Sequence, residues 1–322
     1  MDFDFTEDEQ QLVEGIRRLC AGRFSMNRVR QGEGRRALDI DGWAALAAAG
    51  VFSLRLTGEE GAGLGMAAAA LVFEQLGRAL VPGPLAGTEA AAGVVKGAAS
   101  GESPVGILRR PVGPRPPVVV GDLGSLGAVL VVDVQGLWRL EPDSLEAQEI
   151  DQPLDPLTPL WRVQHIPLGE RLGDAVLAGR VWCDHLVLCA ALLAGMASAT
   201  CDLAADYAKV RRQFDRPIGS FQAVKHMCAD MLVRAETARV GVHAAAVTID
   251  QPDVGDVRRA GAGAVLLAAE AALTNAKTCI QVHGGTGFTW EVPAHLYLKR
   301  AVVLSQLLEP ADVWADTVAE RF

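Results

Sequence analysis

Tyr207–Met231 reads YAKVRRQFDRPIGSFQAVKHMCADM, which is the pattern of a helix end, a turn at RPIGS and a new helix start. Arg211, Arg212 and Arg216 surround the aromatic Phe214 in a chain whose formal net charge is −9. The helix macrodipole favours arginine at a helix C-terminus, which explains one or two of them. Guanidinium groups around a turn also suit a diphosphate. A structural role and an anion site therefore both stay open.

A second informative stretch is Thr278–Ala301, TCIQVHGGTGFTWEVPAHLYLKRA. Its GGTG run ends a long helical pattern, and C-capping explains one or two of these glycines. A glycine run also lets a ligand approach the backbone closely. The run follows no strand pattern and opens no βαβ unit, so a Rossmann dinucleotide fingerprint is excluded.

The patterns around these two stretches predict the architecture. Segments near 176–213, 219–250, 254–283 and 291–308 have the length and periodicity of bundle helices, with Ser220 or Asp253 as candidate caps. Helical patterns also fill the first part of the chain, which a capping box of Thr6 and Glu9 opens. Between them, short β-branched runs broken by Gly, Pro and Asp predict about five or six short strands. The sequence thus predicts a mostly α protein with a small β domain, and its three expected domains are 1–96 (helical), 97–173 (β) and 174–322 (helical bundle).

RRQFDRPIGSFQ, followed by QVHGGTGF and then YLKRA, resembles the acyl-CoA dehydrogenase family of flavoproteins. DFDFTEDEQQLVEGIRRL and GEEGAGLGMAAAALVFEQLGRAL resemble the first helical domain of that family. The resemblance covers everything but the middle of the chain. It implies a helical domain, a β domain that is truncated here, and a four-helix bundle that tetramerises. It also implies FAD, held partly by these motifs from a neighbouring subunit.

The FAD-contacting positions that the resemblance implies are Arg211, Gln213, Phe214, Gln222, Gln281, Gly284 and Gly285. Arg211 resembles the arginine that contacts the FAD pyrophosphate, with Gln213 and Phe214 beside it. Gln222 resembles the glutamine that opens the following helix. Gln281, Gly284 and Gly285 resemble residues that approach the adenosine and pyrophosphate of a neighbour's FAD. Asp215 departs from the family pattern, in which a glycine is usual, and puts a negative charge near the expected diphosphate.

The family's reaction needs a carboxylate at the α-carbon of the substrate, and Glu309 is the candidate base. The family's position falls on Leu308, so Glu309 comes one residue late, which on a helix turns a side chain by roughly 100°. Pro310 replaces the usual glycine and moves Glu309 away from helical geometry. A minority of the family carries the base on the first bundle helix, where this chain offers only Asp184 and His185. The sequence therefore favours Glu309 as the polar end of a helix rather than as a base.

The middle of the chain lacks the TEP…GSD segment and the Trp-Ile-Ser/Thr strand that cover the flavin ring in full-length relatives. A chain that keeps the motifs offered to a neighbour but lacks its own base and flavin cover resembles the short subunit of the heterotetrameric (α2β2) acyl-CoA dehydrogenases of actinobacterial steroid catabolism. The first hypothesis is a non-catalytic subunit that completes a partner's FAD site through Arg211, Gln281 and Gly285. Loss of its own pocket would leave space for a bulky polycyclic acyl group in the partner.

Two other hypotheses come from different classes. One is a self-sufficient homomeric dehydrogenase with Glu309 as base, and the other is a structural or acyl-CoA-binding bundle without a redox role. For either redox hypothesis, the family implies an acyl-CoA substrate and an electron-transferring flavoprotein or similar carrier as acceptor.

Composition limits the partners and the location. The acidic net charge argues against nonspecific binding to nucleic acid or to an anionic membrane. The acidic start without a basic leader or apolar signal core, and the absence of a convincing membrane-spanning stretch, favour a cytoplasmic protein. The histidines show no metal-ligand spacing, so no metal is expected. The cysteines have no CxxC pair and are expected to be reduced thiols: Cys20, Cys183, Cys189, Cys201, Cys228 and Cys279.

Overall fold

The computed structural model describes residues 6–31, 38–58, 61–111 and 117–320. Residues 1–5 of the amino-terminal motif, and Glu59 and Glu60 of the GEEGAGLG stretch, lie outside these ranges. The helices are α1 Glu7–Arg23, α2 Met26–Gln31, α3 Ile40–Ala48, α4 Met66–Arg78, α5 Leu85–Ala90, α6 Ala175–Val210, α7 Gln222–Asp250, α8 Val257–His283, α9 Ala294–Leu307 and α10 Ala311–Ala319. The strands are β1 Val105–Arg109, β2 Val118–Gly121, β3 Ala128–Asp133, β4 Gly136–Leu140, β5 Ala147–Glu149, β6 Leu160–Val163, β7 Glu170–Gly173, β8 Arg212–Gln213 and β9 Arg216–Pro217.

The mostly α architecture with a small β region is confirmed, and α6 to α9 match the four predicted bundle segments within a few residues. The capping box of α1 is present: the Glu9 backbone N–H donates to Thr6 Oγ1 at 3.2 Å, and the Thr6 N–H donates to Glu9 Oε2 at 2.9 Å. The other two predicted caps are wrong. Asp256, not Asp253, caps α8, and Ser220 lies one residue before the N-cap of α7, which makes no side-chain capping bond.

The β region contains seven strands in two small sheets within the described residues, more than the five or six that the sequence predicts. One sheet has the order β1-β3-β4-β7, with β1 and β3 parallel, and the other is the antiparallel β2-β6-β5. The strand β5 has only three residues, too few for a period-2 pattern to reveal. The strand β3 is buried on both faces: Leu130 and Val132 enter the main core, whereas Val129 and Val131 enter a second core between the sheets.

Asn275 fixes the relative positions of three bundle helices. Its buried Nδ2 on α8 donates to the backbone carbonyls of Ala197 on α6 and Met231 on α7, at 3.1 and 2.8 Å. Its Oδ1 accepts from Arg234 Nε at 2.9 Å. Because each polar atom of this buried amide is satisfied, the network favours one register of the three helices. That register brings the end of α6, the start of α7 and the end of α8 together.

The crossing of α4 and α6 depends on two glycines. A Cβ on Gly195 would collide with the backbone oxygen of Glu74, and a Cβ on Gly77 would collide with the backbone oxygen of Leu192. The two backbones therefore pack directly against each other, which only glycine permits. This contact joins the amino-terminal helices to the bundle.

The sequence analysis expected no stretch long and apolar enough to cross a membrane, and the helix α6 departs from that expectation. Its 36 residues are long and apolar enough to cross a membrane, but 78% of its most apolar window is buried inside the protein. It is therefore the central core helix of the bundle. The cysteines are free thiols, as expected, and all but Cys228 are buried.

Candidate functional site

The two informative sequence stretches meet at one end of the bundle. Tyr207 on α6 stacks on His283 at the end of α8, with ring centroids 4.1 Å apart. The His283 ring is fixed because its Nδ1 donates to the Cys279 carbonyl at 2.8 Å. Arg211 follows one turn after Tyr207, and Gly284 directly follows His283. Residues about seventy positions apart are thus held on the same edge, which we call the bundle edge: Arg211–Gln222 and Gln281–Phe288.

The arginine-rich stretch forms a tight hairpin. The strands β8 and β9 pair antiparallel, and the two residues between them, Phe214 and Asp215, have φ of 51° and 61°. Two successive positive φ values define the type I′ turn, which suits the twist of a hairpin. Aspartate tolerates a positive φ, so Asp215 can occupy the turn position at which the family usually has glycine. Its carbonyl oxygen accepts from Arg212 Nη2 at 2.5 Å.

Phe214 is the strained member of the turn. An aromatic residue at positive φ is uncommon, and such strain often accompanies a functional constraint. Phe214 is 86% exposed, and the Phe221 ring lies nearly perpendicular to its own ring, with centroids 6.2 Å apart. Phe221 in turn carries the Arg216 guanidinium over its face at 4.1 Å. Burial in this chain therefore does not explain the position of Phe214.

Arg211 has a fixed backbone and an exposed side chain. Its N–H donates to the Tyr207 carbonyl at 2.9 Å, and its carbonyl accepts from the Ile218 N–H at 2.8 Å. Among the residues that the structure describes, no ion pair to its guanidinium is found. Gln213, Gln222 and Gln281 are exposed as well. The sequence-predicted positions thus form a polar, accessible edge around one arginine.

The glycines of GGTG have separate roles. Gly284 ends α8 at φ 62°, and a Cβ on Gly287 would lie 2.6 Å from the Ile280 carbonyl oxygen, so helix termination and packing explain these two. Gly285 has neither reason: its φ is not positive, and a Cβ there would meet nothing within 4 Å. Both Gly284 and Gly285 are exposed, so open space lies beside this backbone.

Glu309 lies in a short connection between two helices. The helix α9 ends at Leu307, Leu308 is extended, and Pro310 precedes α10. The predicted rotation of roughly 100° applies to a helix and so does not apply here. The Glu309 side chain is 12% exposed, and its Oε1 lies 3.6 Å from Arg109 Nη1 on β1. Glu309 is therefore a largely buried carboxylate held beside a guanidinium.

Glu309 borders a cavity of about 700 Å³ between the amino-terminal helices, the β region and the bundle. Most of its wall is apolar and comes from α5, β1, β2, α6 and α9. A cavity is therefore present beside Glu309, whereas the expected loss of the flavin cover stays a prediction. The strands β1 and β2 keep one wall in place even though the β region is short.

The two alternative base positions on α6 differ in their surroundings. His185 lines the cavity, and burial lowers the pKa of its imidazole to about 4, so the ring is neutral at pH 7. Asp184 is not among the residues that line the cavity, and it pairs with Arg55, which also pairs with Glu89, both at 2.9 Å. Neither residue places a free carboxylate in the cavity.

Sequence reasoning missed three polar groups around the cavity. Arg300 on α9 is 7% exposed and pairs with Asp155, which is fully buried. Asp122, which follows β2, also lines the cavity, and burial raises the pKa of its carboxyl group to about 7. Arg300 shares a helix face with Leu296, four residues earlier, and Val303, three residues later. That periodicity in the sequence was the available signal for a buried arginine.

The amino-terminal helices, the small β region and the carboxy-terminal helical bundle together have the fold of butyryl-CoA dehydrogenase from Megasphaera elsdenii, at a TM-score of 0.82 and 18% identity over 99% of each chain. Family models make the assignment specific: the amino-terminal domain of acyl-CoA dehydrogenase matches residues 6–100, and its carboxy-terminal domain matches residues 187–321. This chain belongs to the acyl-CoA dehydrogenase family.

Relatives are similar along most of the chain. It is 37% identical to acyl-CoA dehydrogenase FadE34 of Mycobacterium tuberculosis, over 97% of this chain and 47% of that protein. It is 36% identical to acyl-CoA dehydrogenase IpdE2 of the same organism, over 79% of this chain and 77% of that protein. The ChsE4-ChsE5 complex from M. tuberculosis contains a chain with the same fold, at a TM-score of 0.84 and 22% identity, covering 99% of this chain and 98% of that one. This chain thus spans about half the length of FadE34.

The bundle edge fits the diphosphate part of FAD, the cofactor that the family implies. A guanidinium makes paired bonds to phosphate oxygens, and Arg211 presents one at the surface. The backbone at Gly285 is open on the side where a Cβ would stand. The described residues contain no group of three or more His, Cys, Asp or Glu side chains that could hold a metal ion.

Proposed function

We propose that this chain is a supporting subunit of an FAD-dependent acyl-CoA dehydrogenase and completes the FAD site of a partner subunit. The observation that carries the proposal is the bundle edge itself. Residues from two distant stretches lie together there, and all seven of the predicted FAD-contacting positions are exposed, including a strained Phe214 and an open Gly285. Nothing in the described part of the chain covers them, so the binding partner of this edge comes from another molecule.

A structural neighbour supports a partner subunit. The ChsE4-ChsE5 structure is by its description a complex of two proteins, one of which has this fold. A complete acyl-CoA dehydrogenase subunit is therefore the proposed partner, in an α2β2 assembly in the cytoplasm. The proposed substrate is a steroid-derived acyl-CoA thioester, and the proposed acceptor is an electron-transferring flavoprotein or similar carrier.

The bundle edge would act by binding and orientation. Arg211 would hold the diphosphate, because a guanidinium can neutralise its charge and offer paired hydrogen bonds to phosphate oxygens. Gly284 and Gly285 allow close approach, while Gln213, Gln222 and Gln281 offer neutral donors and acceptors, and Phe214 offers an apolar face. FAD, when bound, would supply the acceptor for the hydride that leaves the β-carbon of the substrate. The α-proton would go to a carboxylate of the partner.

A second candidate function rests on Glu309. Its side chain is largely buried and borders a cavity of about 700 Å³, which a self-sufficient dehydrogenase requires. The ion pair with Arg109 stands against it. The Glu309 carboxylate is held 3.6 Å from Arg109 Nη1, whereas a base must lie within hydrogen-bond reach of the proton that it removes.

Arg211→Ala is expected to reduce the FAD content of the co-expressed complex, because it removes a charge-assisted contact worth about 1.5–3 kcal/mol, or roughly tenfold to a hundredfold in affinity. The measurement is the absorbance of bound flavin per mole of complex after dialysis. Arg180→Ala is the matched control: it is an exposed arginine on the same helix, roughly 45 Å away by helical rise.

Glu309→Gln separates the two candidate functions. The supporting role predicts unchanged flavin and turnover of the complex within about twofold, whereas a catalytic base predicts a loss of about 10²-fold or more with flavin retained. If the Arg211→Ala variant left the FAD content of the complex unchanged, the bundle edge would have only a structural role.

A further inference from the structure

A second cavity, of about 330 Å³, lies where α1, α4, α6 and α7 meet. It shares no residue with the bundle edge or with the cavity beside Glu309. Its wall carries three positive and three negative side chains: Arg17, Arg78, Arg239, Glu74, Asp202 and Glu236. Three contacts satisfy five of them: Arg78–Asp202 at 2.6 Å, Arg239–Glu236 at 2.6 Å and Glu74–His243 at 2.9 Å. Arg17 is the sixth charge.

Arg17 is held by a neutral partner. Its Nε donates to Oε1 of Gln75, on α4, at 2.9 Å. Within the described residues, no ion pair and no further hydrogen bond of the Arg17 side chain is found. A guanidinium has five N–H donors, and this bond uses only the one on Nε. Because Arg17 is exposed and lies in the cavity wall, its remaining donors can reach a ligand there.

Gln75 supplies a second donor beside Arg17. Arginine only donates, so the Gln75 atom that faces it is the carbonyl oxygen, which also assigns the amide nitrogen Nε2. No hydrogen-bond partner of Nε2 is found in the described part of the chain. Gln75 is only 6% exposed, but Nε2 is not one of the fully enclosed polar atoms, so it stays open to the cavity that Gln75 lines. Buried polar groups are normally bonded, so this open donor indicates an acceptor in the cavity.

The rest of the wall limits the size and charge of that acceptor. Val13, Leu71 and Leu232 line the cavity, and Leu232 is 54% exposed, so a ligand has apolar surface to cover. The Glu74 carboxylate also borders the cavity, and its charge disfavours a ligand with two negative charges, such as inorganic phosphate. A single negative charge is what Arg17 lacks.

We propose that the second cavity binds a small monocarboxylate with a compact apolar body, whose oxygens accept from the Arg17 guanidinium and from Gln75 Nε2. A carboxylate suits two neighbouring donors because both of its oxygens accept. The ligand would connect α1 to α4. The proposal goes beyond the supporting role, and neither the bundle edge nor flavin takes part in it, so each can fail without the other.

The probes are 4-fluorobenzoate and 4-fluorobenzamide, which have nearly the same shape and differ in charge. Fluorine NMR relaxation gives the dissociation constant of each from the purified full-length chain. We expect the carboxylate to bind about tenfold more tightly than the amide, because charge-assisted hydrogen bonds are stronger than neutral ones. Equal affinities, tighter binding of the amide, or no binding of either probe would overturn the proposal. Inorganic phosphate should not displace 4-fluorobenzoate, and displacement at equal concentration would refute a site for one negative charge.

Arg17→Met should bring the affinity ratio of the two probes to about one, since it removes the charge and the free donors. Arg18→Met is the matched control: Arg18 carries the same charge, pairs with Glu14 on the surface of α1 and does not line the cavity, so the ratio should stay unchanged. An equal loss in both variants would show a general charge effect and refute the site.

Gln75→Glu tests the second donor. It gives Arg17 a carboxylate within the chain and removes Nε2, so the affinity for 4-fluorobenzoate should fall about tenfold, while that for the amide should change by no more than about twofold. An unchanged ratio in Arg17→Met, which alters an exposed side chain and does not depend on the folding of Gln75→Glu, would refute the assignment.

Discussion

Asp155→Ala is expected to lower the free energy of unfolding by about 3–5 kcal/mol, because it leaves the Arg300 guanidinium buried without a counter-charge. Arg300 and Asp155 are 7% and 0% exposed, and the pair joins α9 to the β region. The loss also includes the bonds that Asp155 accepts from Leu157 and Thr158. Urea denaturation followed by circular dichroism measures the change.

Glu14→Ala is the control for Asp155→Ala. Glu14 and Arg18 form an ion pair on α1, with side chains 50% and 77% exposed, and such pairs contribute little. Its removal should change stability by no more than about 0.5 kcal/mol. The double variant Asp155→Ala with Arg300→Met should regain part of the loss, because both charges are gone. A loss of under 1 kcal/mol in Asp155→Ala would contradict the buried-pair account.

Gly195→Ala is the second large change, with an expected loss of about 2–4 kcal/mol. The new Cβ would collide with the backbone oxygen of Glu74, and a backbone cannot move aside as a flexible side chain can. The crossing of α4 and α6 would have to widen, which also separates Gly77 from Leu192. The thermal midpoint measures the loss.

Gly179→Ala, on the same helix α6, is expected to have the opposite effect on stability. A Cβ at Gly179 would meet nothing within 4 Å, so only helix propensity changes. Alanine should then be neutral or stabilising by about 0.5–1 kcal/mol. If Gly195→Ala were as well tolerated as Gly179→Ala, the close α4–α6 contact would not be a source of stability.

The sequence predicted those parts of the structure that local patterns encode. The bundle helices follow from apolar periodicity, and the capping box follows from Thr6 and Glu9 alone. The meeting of Arg211 and Gly285 on one edge followed from the family resemblance. The physical cause lies in the Asn275 network and the Tyr207–His283 stack, which only the folded structure shows.

Long-range contacts explain what the sequence did not predict. Arg300 and Asp155 are 145 positions apart, so no periodicity connects them. Glu309 was placed by counting along a helix that ends two residues earlier, at Leu307, before Pro310. The cavity depends on the short strands β1 and β2, whose residues gave too weak a pattern to show that a wall remains.

The most direct test of the supporting role is the FAD content of the chain purified alone, compared with the same chain co-expressed with a candidate partner subunit. We expect little or no flavin on the chain alone and about one FAD per pair in the complex, because the bundle edge supplies only part of a site. A chain that purifies yellow by itself, and whose flavin bleaches when an acyl-CoA is added, would contradict the supporting role and make Glu309 the leading candidate for the base.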